Sequence, residues 1–515
     1  MWASATALVL LAAAVLIPLL GLITEVPAGT NQELLFWQDS YLRQVILFSF
    51  TQAFWSTLLS VTLGMLVARS LFYSPRFPAR AVLLKLFGLP LVVPSIVAVM
   101  GIVSVYGSQG WLPLGRSLYG LQGILIAHVF FNMPLVVRLL MPVWQSIPAQ
   151  YWMLGQQLEM SGRQRWKHVE WPVLRESLPG VILLVFMLCL TSFAVVLTLG
   201  GGPASTTLEV AIYQLLRFDF NPPQAVVLAM VQLLVCLGLA GLVLLFQRLP
   251  EVEDTETSQS MAVFWSGHWG HFIVILLAVI YTLLPMLSML VDALSGPMMQ
   301  VVTDYRLWRA ALFSVMLGLV SSALAMIIGW LLLSGTRYMY QSGKMRRAQW
   351  IELAGSIVYV IPPLVLGTGY FVVLRTHVNV FEWVFPLVIL INALMGLPFV
   401  IRVLGPQMRQ AHQRYDYLCQ SLSIKGWRRW HLIDWPLLRK TASLSAALIC
   451  ALAMGDLGVI ALFGTPESTT LPLFLYQQIS AYQISAAAVT ALILLFLSLT
   501  LFWAIERFVG GKSNA

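Results

Sequence analysis

Long apolar runs alternate with short polar stretches along this chain, and twelve of the runs are long enough to cross a bilayer. A helix needs about twenty apolar residues to span ~30 Å of hydrocarbon at ~1.5 Å per residue. Such runs fall near 5–24, 45–68, 86–106, 119–141, 178–199 and 225–246. A second set falls near 270–292, 309–333, 352–374, 383–404, 442–463 and 484–505. The pattern predicts an all-α, polytopic membrane protein of about twelve transmembrane helices. No Lys or Arg precedes Arg43, and the first run is long for the apolar part of a signal peptide, so it reads as a retained helix.

Composition agrees with this reading. Hydrophobic residues fill 59% of the 515 positions and charged residues only 10%, with a mean hydropathy of +0.84. That is too little charge to cover a water-facing surface, so the outside faces lipid. The basic residues gather in alternate loops. Arg76, Arg80 and Lys85 follow the second run, Arg163, Arg165, Lys167 and Arg175 the fourth, and Arg337, Lys344, Arg346 and Arg347 the eighth. Arg409, Arg414, Lys425, Arg428, Arg429, Arg439 and Lys440 follow the tenth. The intervening stretch 25–42 carries Glu25, Glu33 and Asp39 and no Lys or Arg, and 464–482 carries only Glu467. Basic loops stay in the cytoplasm, so an even helix count puts both termini there as well. This placement accounts for the net charge of +9 without a nucleic-acid partner. The four cysteines fit a chain without disulfides: Cys189, Cys236 and Cys450 lie in predicted helices and Cys419 in a cytoplasmic loop.

Comparing the chain with itself reveals a repeat. Residues 151–175 read YWMLGQQLEMSGRQRWKHVEWPVLR, and residues 415–439 read YDYLCQSLSIKGWRRWHLIDWPLLR. At one fixed offset Tyr151, Leu154, Gln156, Leu158, Gly162, Arg165, Trp166, Trp171, Pro172, Leu174 and Arg175 recur as Tyr415, Leu418, Gln420, Leu422, Gly426, Arg429, Trp430, Trp435, Pro436, Leu438 and Arg439. Val169/Ile433 and Glu170/Asp434 are close replacements. Upstream, Pro134, Arg138 and Pro142 match Pro398, Arg402 and Pro406. With a one-residue shift, Gly201, Pro203, Thr206, Thr207, Tyr213 and Gln214 match Gly464, Pro466, Thr469, Thr470, Tyr476 and Gln477. Apolar composition alone would not align Gly, Arg, Trp and Pro in polar loops. The chain therefore divides into a first six-helix unit, 1–246, with its marked loop at 151–172. A polar linker at 247–267 leads to a second unit, 268–515, with its loop at 415–436. An even number of helices per unit inserts both copies in the same sense, related by a pseudo-twofold axis along the membrane normal.

Each marked loop has apolar residues at helical spacing, then a glycine, a basic-aromatic stretch, and Trp-Pro. The glycine permits a bend, and the proline suits the first turn of the next helix. One reading is an amphipathic interfacial helix anchored by Arg and Trp. The duplication on one face favours a docking site for a partner of matching twofold symmetry.

At these loops the chain resembles the inner-membrane permeases of binding-protein-dependent ABC importers. Their signature is a cytoplasmic loop with Glu-Ala-Ala, three residues, Gly, and a Pro after twelve more. Pro172 and Pro436 match the proline, whereas the signature glycine falls on Glu159 and Ser423, and Glu-Ala-Ala on Met153–Gly155 and Tyr417–Cys419. The resemblance implies coupling helices seated in two copies of an ABC ATPase subunit. Gly162, Arg165, Trp166, Pro172, Gly426, Arg429, Trp430 and Pro436 are the expected coupling residues, with Gly162 and Gly426 in place of the missing signature glycine. The whole chain is similar to the fused two-unit permeases, a class that includes ferric-iron and thiamine importers. SVYGSQGW (104–111), YGLQGILIAHVFFNMP (119–134), FMLCLTSFAVVLTLGGGP (186–203), TTLEVAIYQ (206–214), YLCQSL (417–422) and LPLFLYQQI (471–479) look most like the thiamine branch. That resemblance implies import of thiamine, with its phosphate esters, into the cytoplasm of a bacterium by ATP-driven alternating access. A periplasmic substrate-binding protein would deliver the cargo across the inner membrane. Ferric iron or another small solute is the alternative cargo.

The chain itself offers no catalytic constellation. Its ending, ERFVGGKSNA, puts Glu506 where a phosphate-binding loop needs its first glycine, so ATP and Mg would be used by the partner ATPase, and no cofactor or metal is expected here. His268 and His271 have no carboxylate or cysteine beside them and read as interfacial residues. Asp456 is expected about fourteen residues into a helix, where a bare carboxylate is costly. It reads either as a packing group or as part of the translocation path. The repeated turns at 200–214 and 463–477 have two readings as well. Gly201, Thr206, Thr207, Gly464, Thr469 and Thr470 are either capped turns or an outer gate and binding-protein contact. A secondary transporter of major-facilitator type also has two six-helix halves, but would need more intramembrane charge than Asp456 supplies.

Overall fold

The computed structural model describes residues 2–25, 39–74, 77, 80–88, 90, 92–114, 118–246, 269–341, 343–424, 426–465 and 468–511. The linker 247–267, His268, Lys425, Pro466, Glu467 and Lys512 lie outside this set. Every regular element among the described residues is helical. The first unit comprises α1 (Trp2–Thr24), α2 (Ser40–Tyr73), α3 (Arg80–Leu86), α4 (Ser95–Tyr106), α5 (Leu121–Gln145), α6 (Ala149–Gln157), α7 (Gly162–Arg165), α8 (Trp171–Leu190), α9 (Phe193–Leu199), α10 (Leu208–Arg217) and α11 (Pro222–Phe246). The second comprises α12 (Trp269–Ser295), α13 (Met298–Thr303), α14 (Tyr305–Gln341), α15 (Met345–Ile357), α16 (Pro363–Arg375), α17 (Val384–Ser421), α18 (Gly426–Arg429), α19 (Trp435–Met454), α20 (Gly458–Phe463), α21 (Leu471–Ser480) and α22 (Ile484–Gly510).

Among the described residues ten helices are long and apolar enough to cross a membrane, or eleven if one bent pair counts as a span. The expected straight spans at 86–106 and 352–374 are not formed, and prolines explain both. In the first unit only Ser95–Tyr106 is helical beyond Pro94. In the second, Pro362 and Pro363 separate two helices bent by 85°. Proline cannot donate to the preceding turn, and the residue before it avoids helical geometry. The fifth spans also end early. α8 stops at Leu190 and α19 at Met454, each followed by a short break and a second, shorter helix. Asp456 therefore lies in the break between α19 and α20, not within a helix.

Small and polar residues let the inner helices approach. Ser49, Gln52, Ser56, Ser60 and Gly64 form one buried stripe on α2. A Cβ at Gly64 would meet Val136 of α5 at 2.6 Å, and one at Gly329 of α14 would meet Val400 of α17 at 2.5 Å. In lipid, close van der Waals packing of this kind holds helices together.

The units exchange their first helices. α1 packs against α14 and α16 of the second unit, while α12 packs against α2 and α4 of the first. The crossings are equivalent: the Pro18 carbonyl lies over Gly369, and the Pro285 carbonyl over Gly101. A Cβ at either glycine would come within 2.4–2.5 Å of the opposing carbonyl oxygen, so neither site has room for a side chain.

Candidate functional site

The two repeated loops fold alike. Each apolar segment ends in a residue with positive φ, Glu159 at 47° and Ser423 at 52°. These are the positions onto which the signature glycine falls. The bend is thus made there, at a steric cost to a residue with a Cβ. Gly162, expected to supply the turn, instead opens α7 behind a capping box in which Ser161 and Gln164 bond reciprocally. Gly426 has φ 59° and opens α18. A single π-turn follows in both copies, Trp166–Glu170 and Trp430–Asp434. Pro172 and Pro436 then occupy the first turns of α8 and α19, where no partner for a backbone N–H is needed.

Each π-turn ends on a buried acid. Glu170 accepts from Arg69 Nε at 2.8 Å and Nη2 at 3.0 Å, from the Tyr73 hydroxyl at 2.8 Å, and from Trp144 Nε1 at 3.0 Å. The Arg69 guanidinium also lies 5.1 Å from the Trp166 ring centroid. In the second unit Asp434 accepts from Arg337 Nη1 at 3.1 Å, and Asp416 from Arg337 Nη2 at 2.9 Å. Arg429 bonds Asp416 and sits 3.6 Å from Asp434. Arg429, expected to face a partner, is thus an internal brace. Arg165, Trp166 and Trp430 are half-buried, and Trp430 stacks between Trp427 and Trp435 at 4.6 and 5.3 Å. Burial, followed by the Asp416 and Asp434 charges, raises the pKa of the Cys419 thiol behind the second loop.

Two leucines of each loop face outward among polar neighbours. Leu154 and Leu418 are each 50% exposed, and Leu158 and Leu422 each 60%. The helical spacing of these leucines was legible in the sequence. The acids beneath were visible only as the pair Glu170/Asp434, and Arg69, Tyr73, Trp144, Arg337 and Asp416 carried no motif.

At the other ends of the helices the repeated turns are held from inside. The Ser49 hydroxyl accepts from Leu208 N at 2.9 Å, and Ser314 from Leu471 N at 2.8 Å. Thr206, Thr207, Thr470 and Gly464 are buried, Thr469 is half-buried, and Gly201 is exposed with φ 72°. Of these six only Gly201 is exposed, and Thr206, Thr207 and Thr470 belong to the turns' interior. Arg217 Nη2 donates to the Gly464 carbonyl at 2.9 Å, joining the units at this level.

In the break between α19 and α20, Asp456 Oδ1 accepts from Gly458 N at 3.0 Å. Gly458 faces the ring of Phe193, which stands at the equivalent position to Asp456 in the first unit. A residue lying against its own repeat partner's segment is close to the pseudo-twofold axis. Glu209, which no motif marked, is buried at the start of α10 and accepts from Gln232 Nε2 at 2.7 Å.

No family model matches the chain, and no solved structure matches it. Curated relatives do. The thiamine transport system permease protein ThiP of Escherichia coli K12 is 42% identical over 490 residues, covering 92% of this chain and 90% of the relative. The protein of the same name from Brucella abortus strain 2308 is 41% identical over 93% of this chain and 90% of its own length. That from Haemophilus influenzae Rd is 41% identical over 92% and 90%. Identity of this extent spans both repeats and both marked loops, so the chain belongs to the ThiP family of transport permeases.

Proposed function

We propose that this chain is the transmembrane subunit of an inner-membrane ABC importer that carries thiamine and its phosphate esters into the cytoplasm. The observation that carries this reading is the near end-to-end identity with permeases named for thiamine transport. The loops support the mechanism. Two equivalent helices expose matched leucines on one face, and each is fixed to its unit by a buried acid–arginine cluster. Two ATPase subunits would cover those leucines, which lie on the basic face taken as cytoplasmic. A rigid anchor beneath the contact would turn closure of the ATPases into movement of α8 and α19. Because α1 and α12 are exchanged, the moving bodies are mixed: each carries the first helix of the other unit. A periplasmic binding protein would meet the opposite face, around the exposed turn at Gly201.

Deleting the gene tests the cargo. The expected result is loss of high-affinity thiamine uptake with iron uptake intact, measured with labelled substrates. Normal thiamine accumulation together with lost iron accumulation would transfer the protein to the alternative cargo.

A further inference from the structure

We infer that Glu209 and Asp456, contributed by opposite units, form with Phe193 and Tyr213 a single site for a flat organic cation near the pseudo-twofold axis. The inference rests on the importer reading above and assigns the charged ring of the cargo to named side chains.

The parts are linked by short steps. Glu209 and Tyr213 are four residues apart on α10 and so share a face. The Tyr213 and Phe193 rings meet edge to face at 5.4 Å. Phe193 lies against Gly458, whose N–H is bonded to Asp456. α10 packs on α20, and Glu209 lies within electrostatic reach of Asp456.

Neither acid has an ion-pair partner among the described residues. The surrounding polar groups are not satisfied either. Asp456 Oδ2 and the Oε1 of fully buried Gln232 have no close partner, and Asn392 stands beside Asp456 as its polar neighbour. A buried carboxyl without a cationic partner is costly to ionise, and a cation held beside both acids would favour their charged forms.

The aromatic pair narrows the class. Ring faces attract delocalised cations and stack on flat heterocycles. No group of three or more His, Cys, Asp or Glu side chains gathers among the described residues, so the site has no ligand set of the kind that softer metals take. The thiazolium ring of thiamine has both properties, a positive charge and a flat aromatic body.

The repeat explains why there is one site. Glu209 corresponds to Pro472, and Asp456 to Phe193, so the units contribute different parts to a shared centre. A single central site is what a single path requires, whereas the ATPase-facing loops are duplicated.

The test uses the complete importer, with ATPase and binding protein, in proteoliposomes. Uptake of thiamine is compared with uptake of an isostere carrying an uncharged thiophene in place of thiazolium, each loaded to saturation on the binding protein. Wild type is expected to move thiamine at least tenfold faster than the isostere. Glu209→Gln and Asp456→Asn, which keep size, should each slow thiamine roughly tenfold or more, as losing a charged partner implies, while the isostere rate stays within twofold. Both should still co-purify with the ATPase. Thiamine uptake within twofold of wild type in both variants overturns the site, as does an equal loss for both compounds. If the variants fail to assemble, wild type decides alone, and equal rates for the two compounds overturn the inference. Wild type that moves neither compound overturns the importer reading, and the inference with it.

Discussion

In the first unit the repeated loop is tied down by one carboxylate with four donors, Glu170 between Arg69, Tyr73 and Trp144, in an otherwise aromatic setting. In the second unit the same place holds two aspartates and two arginines, because Trp152 is replaced by Asp416 and the arginine from the adjoining helix comes from Arg337 instead of Arg69. The helices leading in differ too. Pro148 interrupts the chain between α5 and α6, whereas its counterpart is His412 and α17 runs on to Ser421. Yet the exposed leucines match to the percentage point. The exposure of these leucines and the final π-turn are the same in both copies, and the anchoring chemistry behind them is not. On the proposed reading, two identical partners would constrain the leucines of each loop and leave the anchor behind them free to differ.

The anchors should differ most under mutation. Glu170→Gln leaves the half-buried Arg69 with no opposing charge, and breaking a buried pair in this way costs about 3 kcal/mol or more. Asp434→Asn leaves Arg337 and Arg429 both held by Asp416, so its cost should be nearer 1 kcal/mol. Thermal midpoints of the purified chain in detergent check this, with the first variant falling several degrees further than the second. Equal shifts would mean that the two clusters are equivalent despite their chemistry.

A smaller effect is expected at the two bends. Glu159→Gly and Ser423→Gly relieve a left-handed conformation that costs a residue with a Cβ about 1 kcal/mol, partly offset by glycine's greater freedom when unfolded. Each should raise the midpoint slightly, and by a similar amount, because the two φ values nearly coincide. A fall in either copy would show that the side chain there makes a contact worth more than the strain.

How much of this was legible beforehand depended on the kind of signal. Duplication made the loops visible, since Gly, Arg, Trp and Pro aligned where lipid-facing composition could not force them. Run length located most spans but not their breaks. Pro94 and Pro362 sit inside apolar stretches that hydropathy counts as continuous, and the break at Asp456 follows a glycine inside a run that reads as one helix. The positive φ at Glu159 and Ser423 was hidden because neither is glycine, although spacing placed the signature glycine there. Arg429 shows the remaining limit: an arginine in a basic loop looks free to bind a partner, and only the fold brings Asp416 and Asp434 to it. Glu209 was missed for a similar reason, being one acid in an apolar helix until Gln232, Tyr213 and the opposite unit surround it.

On the proposed reading, this permease moves thiamine only when ATPase subunits sit on the two leucine faces. The most direct test is ATP-dependent uptake of labelled thiamine by the reconstituted three-component complex, comparing wild type with Leu154→Asp, Leu158→Asp and with Leu418→Asp, Leu422→Asp. Central apolar contacts at an interface carry ~2 kcal/mol or more, and an added charge worsens the loss, so either double variant should fall at least tenfold in uptake and in co-purification with the ATPase. The chain should remain folded in the membrane, because these side chains face outward. Thiamine uptake that continues without the ATPase, or full uptake and complex formation in both double variants, would show that the leucine faces do not couple the chain to an ATPase.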